Sequence, residues 1–535
     1  MYSQRKLRQQ KLEGDVKAFN MKLNPENRWI KMNRLIPWEE IEAQYAQNFN
    51  HERKDGRRAI TAREALGALL VQQIMQLSDR ETVTIIQENP YIQYFLGYQQ
   101  FRLEKPFDAS TMVHFRKRFS VERIAQINEM LYNKMTQKPP NPDTGKEHQE
   151  TPDQNQTKTS PGTKETPKEA PTETPRENKG KLLLDATCIP SDIRYPTDLS
   201  LLNESREKLE KQIDILWAEL REKGSVKPRT YRKEARKAYL AKAKKPGRKG
   251  IRNAIKAQLQ YVERDLNILN RLIQQAREKG IPNPLTEKEI EELETIRLLF
   301  AQQQEMYKNK THRAKDRIVS IWQSWVRPIV RGKTKTPVEF GAKLEISIVN
   351  GFTAIEKISW DNFNESTGLR ASVERYKAKY GCYPEAVLAD KLYRNRQNLA
   401  YCKERGNLKK EFLGTFSKKV HGIRLSGPRL GRPPKDEKKN KAHKKLEHQD
   451  TCERNAVEGK FGEGKRRYGL ERIKTKLKET SETVIGLNIL AMNLKGYYRS
   501  SLDFLFIFFI LAKISRIFAF RRKISSRTFW IARNC

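Results

Sequence analysis

Clustered cysteines and membrane-length apolar runs are both missing from this chain of 535 residues. Its five cysteines, Cys188, Cys382, Cys402, Cys452 and Cys535, are scattered and odd in number. None stands at the short spacing of zinc sites, so a structural zinc is not expected and a reducing cytoplasm is. Acidic residues are scarce beside basic ones: 65 Asp and Glu face 106 Lys and Arg, for a formal net charge of +41. Such an excess suits a large polyanion, nucleic acid above all. Because the basic residues spread along the chain with no hydrophobic anchor beside them, a membrane surface is not the expected partner. Met1 to Glu13 is charged and polar, so no secretory signal is expected. The most apolar run, Phe504 to Ala512, falls well short of the ~20 residues of a spanning helix.

A second absence divides the chain. Between Thr136 and Gly180 there is no Val, Ile, Leu, Phe, Tyr or Trp, and Pro, Thr, Glu and Lys dominate. Such a stretch cannot bury enough to fold. We read 136–180 as a disordered linker between an all-α head, 1–135, and a second unit, 181–500. A tail of abruptly different composition follows at 501–535. Length alone predicts more than one domain.

In the head, Thr61 with Glu64 and Ser78 with Glu81 have the hydroxyl-x-x-Glu spacing of capping boxes, which predicts two successive helices. Leu66, Leu69, Leu70 and Ile74 follow at helical spacing, and Phe107–Phe119 begins another helix with a basic flank. A helix-turn-helix character is expected of this module, and with it a role in reading DNA; the alternative at this spacing is a plain helical bundle with no DNA contact.

Beyond the linker the period changes. Lys181–Cys188 is a short apolar run that predicts a buried strand and carries Asp185. Lys343–Val349 and Thr353–Trp360 flank Asn350-Gly351, the dipeptide of a type I′ hairpin. A helix over roughly 366–379 and the strand Ala386–Ala389 then lead directly into Asp390. Between the first strand and the hairpin, Leu209, Ile213, Leu216 and Leu220 step by three and four, as do Leu259, Val262, Leu266, Leu269 and Ile273. That spacing predicts a helical, coiled-coil-like insertion over 200–325, of structural character.

Two strand-end aspartates and a glutamate on a later helix are the ingredients of a two-metal phosphodiester site. The motifs around them resemble the D-D-E transposases of bacterial insertion sequences. Leu184-Asp-Ala-Thr187 is similar to that family's first-Asp strand, Tyr195–Glu204 to the segment after it, and Ala389-Asp-Lys-Leu-Tyr-Arg394 to its second-Asp motif. Val326–Lys333, Glu339–Lys343 and Ser359–Glu365 resemble the stretches around its second and third strands. Arg454, Glu458 and Lys465 reproduce the Arg-x3-Glu-x6-Lys spacing of its Glu block. Where relatives can place Tyr three positions before the Arg, this chain has Thr451, which puts any step that depends on that tyrosine in question.

The resemblance implies an α/β ribonuclease-H-like catalytic domain behind the helical DNA-binding head. It implies that Asp185, Asp390 and Glu458 are the catalytic residues and ligands of two Mg²⁺ ions, for which Mn²⁺ can substitute. Arg454, Lys465, Lys391, Arg394 and Arg432, the last in a basic Gly-Arg-Pro loop, are the implied DNA contacts. The implied partners are double-stranded DNA, as element ends and target, and a second copy in a homodimeric synaptic complex. No small-molecule substrate is expected. The rivals are a ribonuclease-H-like nuclease without strand transfer and an inactive copy that only binds DNA.

Overall fold

The computed structural model describes residues 16–47, 59–136, 178–222, 224–244, 248–330, 337–405, 422–428 and 437–498. Most of the segment read as linker, the Gly-Arg-Pro loop with Arg432, and the tail with its apolar run lie outside the described residues.

A two-stranded antiparallel ribbon, β1 (Val16–Ala18) and β2 (Met21–Leu23), precedes seven helices. These are α1 (Arg28–Leu35), α2 (Trp38–Ala46), α3 (Ala62–Met75), α4 (Asp79–Glu88), α5 (Pro90–Phe95), α6 (Thr111–Arg118) and α7 (Val121–Thr136). At the start of α4, Ser78 and Glu81 form a reciprocal capping box, with Glu81 N–H donating to Ser78 Oγ at 3.3 Å and Ser78 N–H to Glu81 Oε2 at 2.7 Å. Thr61 caps α3 by accepting from Glu64 N–H at 3.2 Å, while the Glu64 carboxylate accepts from the Tyr98 hydroxyl. The sequence predicts an apolar stripe on α3. Ala62, Ala65, Leu66, Gly67, Ala68, Leu69, Leu70 and Val71 are all buried instead, so α3 is enclosed on every side in its first two and a half turns.

The second unit holds a mixed sheet. β3 (Lys181–Pro190) leaves the core at Pro190, and the chain returns to the sheet through β4 (Arg327–Val330), β5 (Val338–Val349), β6 (Phe352–Ser359), β7 (Ala386–Leu388) and β8 (Arg424–Leu425). The strand order is β4-β5-β3-β7-β8, with β6 also on β5. β3, β5 and β6 pair antiparallel, and β7 and β8 run parallel to β3. Asn350 and Gly351 have φ of 51° and 80°, the two positive values of a type I′ turn, and they join β5 to β6. At Gly341 a Cβ would stand 2.0 Å from the carbonyl oxygen of Ile189, so only glycine lets β5 approach β3 there.

Alternation along the strands separates two faces. Leu182, Leu184 and Val349 point to one face, where Leu369, Val373 and Tyr376 of α12 (Leu369–Tyr380) and Tyr401 of α13 (Arg396–Glu404) cover them. Leu344, Ile346 and Ile348 point to the other, and there the head changes the expected domain picture. Their cluster is continuous with Leu66, Leu69 and Phe115 of the head, and with Ile485, Leu490 and Leu494 on a helix over 478–498, which we call α15. Polar ties seal the junction: Asn128 Nδ2 donates to Thr353 O at 3.1 Å, and Asn493 Nδ2 to Asn128 Oδ1 at 2.9 Å. The head is therefore a wall of the sheet and does not stand apart behind a linker, because neither surface could remain exposed with so many large apolar side chains. The last residues of the segment read as linker are also ordered, with Lys179 N–H donating to Tyr383 O at 2.9 Å.

The insertion has its own core. Of its four helices, α8 (Asp198–Leu220), α9 (Arg232–Lys244), α10 (Arg248–Glu278) and α11 (Glu287–Lys308), the first and the last two bury Leu209, Ile213, Leu216, Val262, Leu269, Ile296 and Leu299 against one another. The return segment is pinned to the head of α8, where Asp198 accepts from Arg317 at 2.8 Å and contacts His312 Nδ1 at 3.0 Å. Among the described residues no helix is long and apolar enough to cross a membrane, and the four cysteines there are free.

Candidate active site

Parallel pairing of β3 with β7 sets the geometry. Leu183 lies opposite Leu388, so the same register two residues on brings Asp185 beside Asp390, at the point where β7 ends. Asp390 then caps a 3₁₀ turn, Lys391–Tyr393, accepting from Lys391 N–H at 2.7 Å. One Asp185 oxygen accepts from Ala186 N–H at 2.8 Å. Burial pushes the Asp185 carboxyl up to about 6; Ala186 N–H and Arg454 oppose that shift, and Glu365 and Asp390 add to it.

The third carboxylate comes from α14 (Glu437–Arg467), which crosses β3 and β7 on the face that carries Asp185. Two ion pairs dock this helix: Lys181 with Glu453 at 2.6 Å, and Arg424 of β8 with Asp450. Asp450, Glu453, Arg454, Val457 and Phe461 follow one another at steps of three, one, three and four, the stripe of a single helical face. Val457 is fully buried beneath them. Arg454 is the hinge of the site. Its guanidinium donates to Asp185 Oδ2 at 3.2 Å and, one turn along the helix, to Glu458 Oε1 at 2.9 Å.

This differs from three converging carboxylates. Glu458 is 59% exposed and is linked to Asp185 through Arg454. Among the described residues no three His, Cys, Asp or Glu side chains stand close enough to hold an ion together. The physical reason is local neutralisation: a planar guanidinium satisfies two carboxylates at once.

The implied DNA contacts fall in different places. Lys391 is exposed beside Asp390, and Lys465 is half-buried two turns beyond Glu458. Arg394 turns inward, donating to Ser426 O at 3.2 Å and to Leu425 O, because the carbonyls where β8 ends need donors. Arg116, part of the basic flank expected on the head, is also internal, paired with Asp79 and with Gln72 Oε1 at 3.3 Å.

Two further groups were missed from sequence. Glu345, 1% exposed, accepts from the Tyr393 hydroxyl at 2.7 Å and so ties down the turn behind Asp390 from the opposite face of the sheet. Burial, the largest cause, raises the Glu345 carboxyl, and the Tyr393 hydrogen bond opposes that shift. The available signal was an acid inside the apolar second half of β5, Leu344-Glu-Ile-Ser-Ile-Val349. Glu365, held by Lys343 at 2.9 Å, is the second, and its charge reaches Asp185.

Residues 17–118 match the family model "Transposase domain (DUF772)", and residues 410–495 match the model "Transposase DDE domain". A protein of Rhizobium meliloti described as "Uncharacterized protein ORF8 in nfe locus" is 32% identical over 105 residues, 20% of this chain and 49% of that protein. The chain thus spans about half the length of this curated relative. No solved structure matches the chain. The first model covers much of the head and the second covers α14 with Arg454 and Glu458, and together they support the assignment of the chain to the DDE-type transposases of insertion sequences.

Proposed function

We propose that this protein binds the terminal inverted repeats of an insertion sequence, cuts the DNA there and joins the freed 3′-hydroxyl to a target. The observation that carries the reading is the register of β3 and β7, which sets Asp185 beside Asp390 beneath the Arg454–Glu458 turn of α14. A sheet ordered β6-β5-β3-β7-β8, antiparallel through its first three strands and parallel through its last, supports a ribonuclease-H-like core.

The donor set fits hard divalent cations. Carboxylate oxygens suit Mg²⁺ or Mn²⁺, and Asp185 and Asp390 share a face and a strand end. Asp185, Asp390 and Glu458 would hold two such ions, whose chemistry is stabilisation of the attacking and leaving oxygens of the phosphodiester. The chain's own residues do the rest. Glu345 and Tyr393 fix the turn that aims Asp390. Lys181–Glu453 and Arg424–Asp450 hold α14 over the strands. Arg454, with its planar fork of donors, engages carboxylates here and would engage a phosphate in the same bidentate way. Two ends handled together would require a homodimer, working in the bacterial cytoplasm at the nucleoid.

Labelled element ends, a target plasmid and Mg²⁺ test the reading. The expected products are cut ends and joined strands. Cutting without joining would leave a nuclease; binding without either would leave a DNA-binding copy.

A further inference from the structure

The helical insertion is electrically polarised. Residues 227–256 hold thirteen Lys and Arg and a single acid, Glu234, whereas residues 287–294 hold five Glu and one Lys. An ordinary solvated helix face interleaves both signs, because pairs three and four apart then attract. Inside the basic region only Glu234 can do this, and Asp214 of α8 offsets Lys227 and Arg232 alone.

The structure leaves several of those charges exposed. Ala235 and Tyr239 are the buried positions of α9, one turn apart, and they fix which face points inward. Gln258 of α10 donates to Ala235 O at 3.2 Å, and Arg232 makes a two-pronged pair with Asp214 of α8 at 2.9 and 2.8 Å. Lys233, Arg236, Lys237 and Lys242 of α9 are exposed, as are Arg229 before it and Arg252 at the start of α10. The helix is not a remote arm. Its C-terminal half runs back to the sheet, where Tyr239 OH meets Arg194, four residues beyond β3, at 3.4 Å.

We propose that the exposed face of α9, with Arg229 before it and Arg252 of α10, is a second DNA-binding surface, which takes the phosphate backbone of a duplex independently of its sequence. This rests on the reading of the protein as one that acts on DNA. The dimensions agree. α9 has 13 residues, which makes it roughly 20 Å long, and a duplex presents roughly a dozen phosphates over that length. Lys and Arg on one helical face position a backbone and do not read bases.

The test uses the full chain and a short duplex of arbitrary sequence, with affinity measured over a range of salt concentrations. Lys233→Gln, Arg236→Gln, Lys237→Gln and Lys242→Gln together should weaken binding at least tenfold and flatten the salt dependence by about three and a half units of log–log slope, near 0.9 per lost phosphate contact. A companion variant, Glu287→Gln with Glu291→Gln, should leave both unchanged. The four substitutions sit at exposed positions, and an unchanged thermal transition verifies the fold; the single Lys237→Gln variant, with a slope change of about one, serves if the quadruple variant melts early. Unaltered affinity and slope in a folded variant would overturn the inference while leaving the proposed function intact. Loss of self-association without change in DNA affinity would overturn it in favour of a second copy's acidic end as the occupant. A parent protein that binds no duplex at all would remove both readings.

Discussion

Two hydrophobic cores in this chain are built by opposite routes. The insertion closes its core between neighbours in sequence, α8 through α11, whereas the main core joins α1–α7, one face of the sheet, α14 and α15 across more than 450 residues. The first is a local assembly and the second a non-local one. The difference teaches where the proposed site sits: the strand-borne carboxylates, Arg454 and Glu458 all belong to the non-local assembly, while the insertion carries an excess of basic charge.

The strongest test of that division is chemical. Asp390→Ala should remove several kcal/mol of transition-state stabilisation, a loss of about 10³-fold or more in DNA cleavage, while duplex binding measured by anisotropy stays near the parent value. Unchanged cleavage would remove Asp390 from the site. A paired core substitution then compares the two regions directly. Leu69→Ala and Leu269→Ala should each cost about 2–5 kcal/mol locally. By hydrogen exchange, Leu69→Ala should lower protection in the head and the sheet together, and Leu269→Ala only in the insertion. One shared pattern of lost protection would merge the two cores into one cooperative unit.

Tyr393→Phe sharpens the link between packing and chemistry. It removes the donor to buried Glu345, and a supporting contact of this kind is worth about 10–100-fold in activity or metal affinity. Mn²⁺ affinity, followed calorimetrically, should fall along with cleavage; a drop in thermal stability alone would make the pair merely structural.

The last test lies in the insertion. Asp265 of α10 is fully buried, and burial, with the Glu210 charge adding to it, pushes its carboxyl up to about 8. A folded-state value above the unfolded one means that its contribution is fully present below about pH 4 and is lost as pH rises towards 8, at about 1.4 kcal/mol per pH unit at most. Asp265→Asn should therefore gain stability relative to the parent between pH 5 and pH 8, as read from thermal unfolding. A constant difference across that window would show that Asp265 does not titrate there.

Legibility followed the same division. The helical insertion was readable because Leu209, Ile213, Leu216 and Leu220 sit on one face whatever packs against them. The type I′ hairpin was readable because Asn350-Gly351 is a local conformational choice. That the Arg394 guanidinium meets the carbonyls where β8 ends was not legible, because those partners are far away in sequence. Glu345 was passed over for the same reason, since only folding brings Tyr393 to it.

The sequence by itself determined the element types, the polarised charge of the insertion and the order in which Asp185, Asp390, Arg454 and Glu458 occur, because periodicity, turn chemistry and charge are properties of neighbouring residues. Only the tertiary structure decided that the head walls the sheet and that Asp185 stands beside Asp390. It also decided that Arg454 joins Asp185 to Glu458, because strand register and the burial of one distant surface by another exist only once the chain has closed on itself.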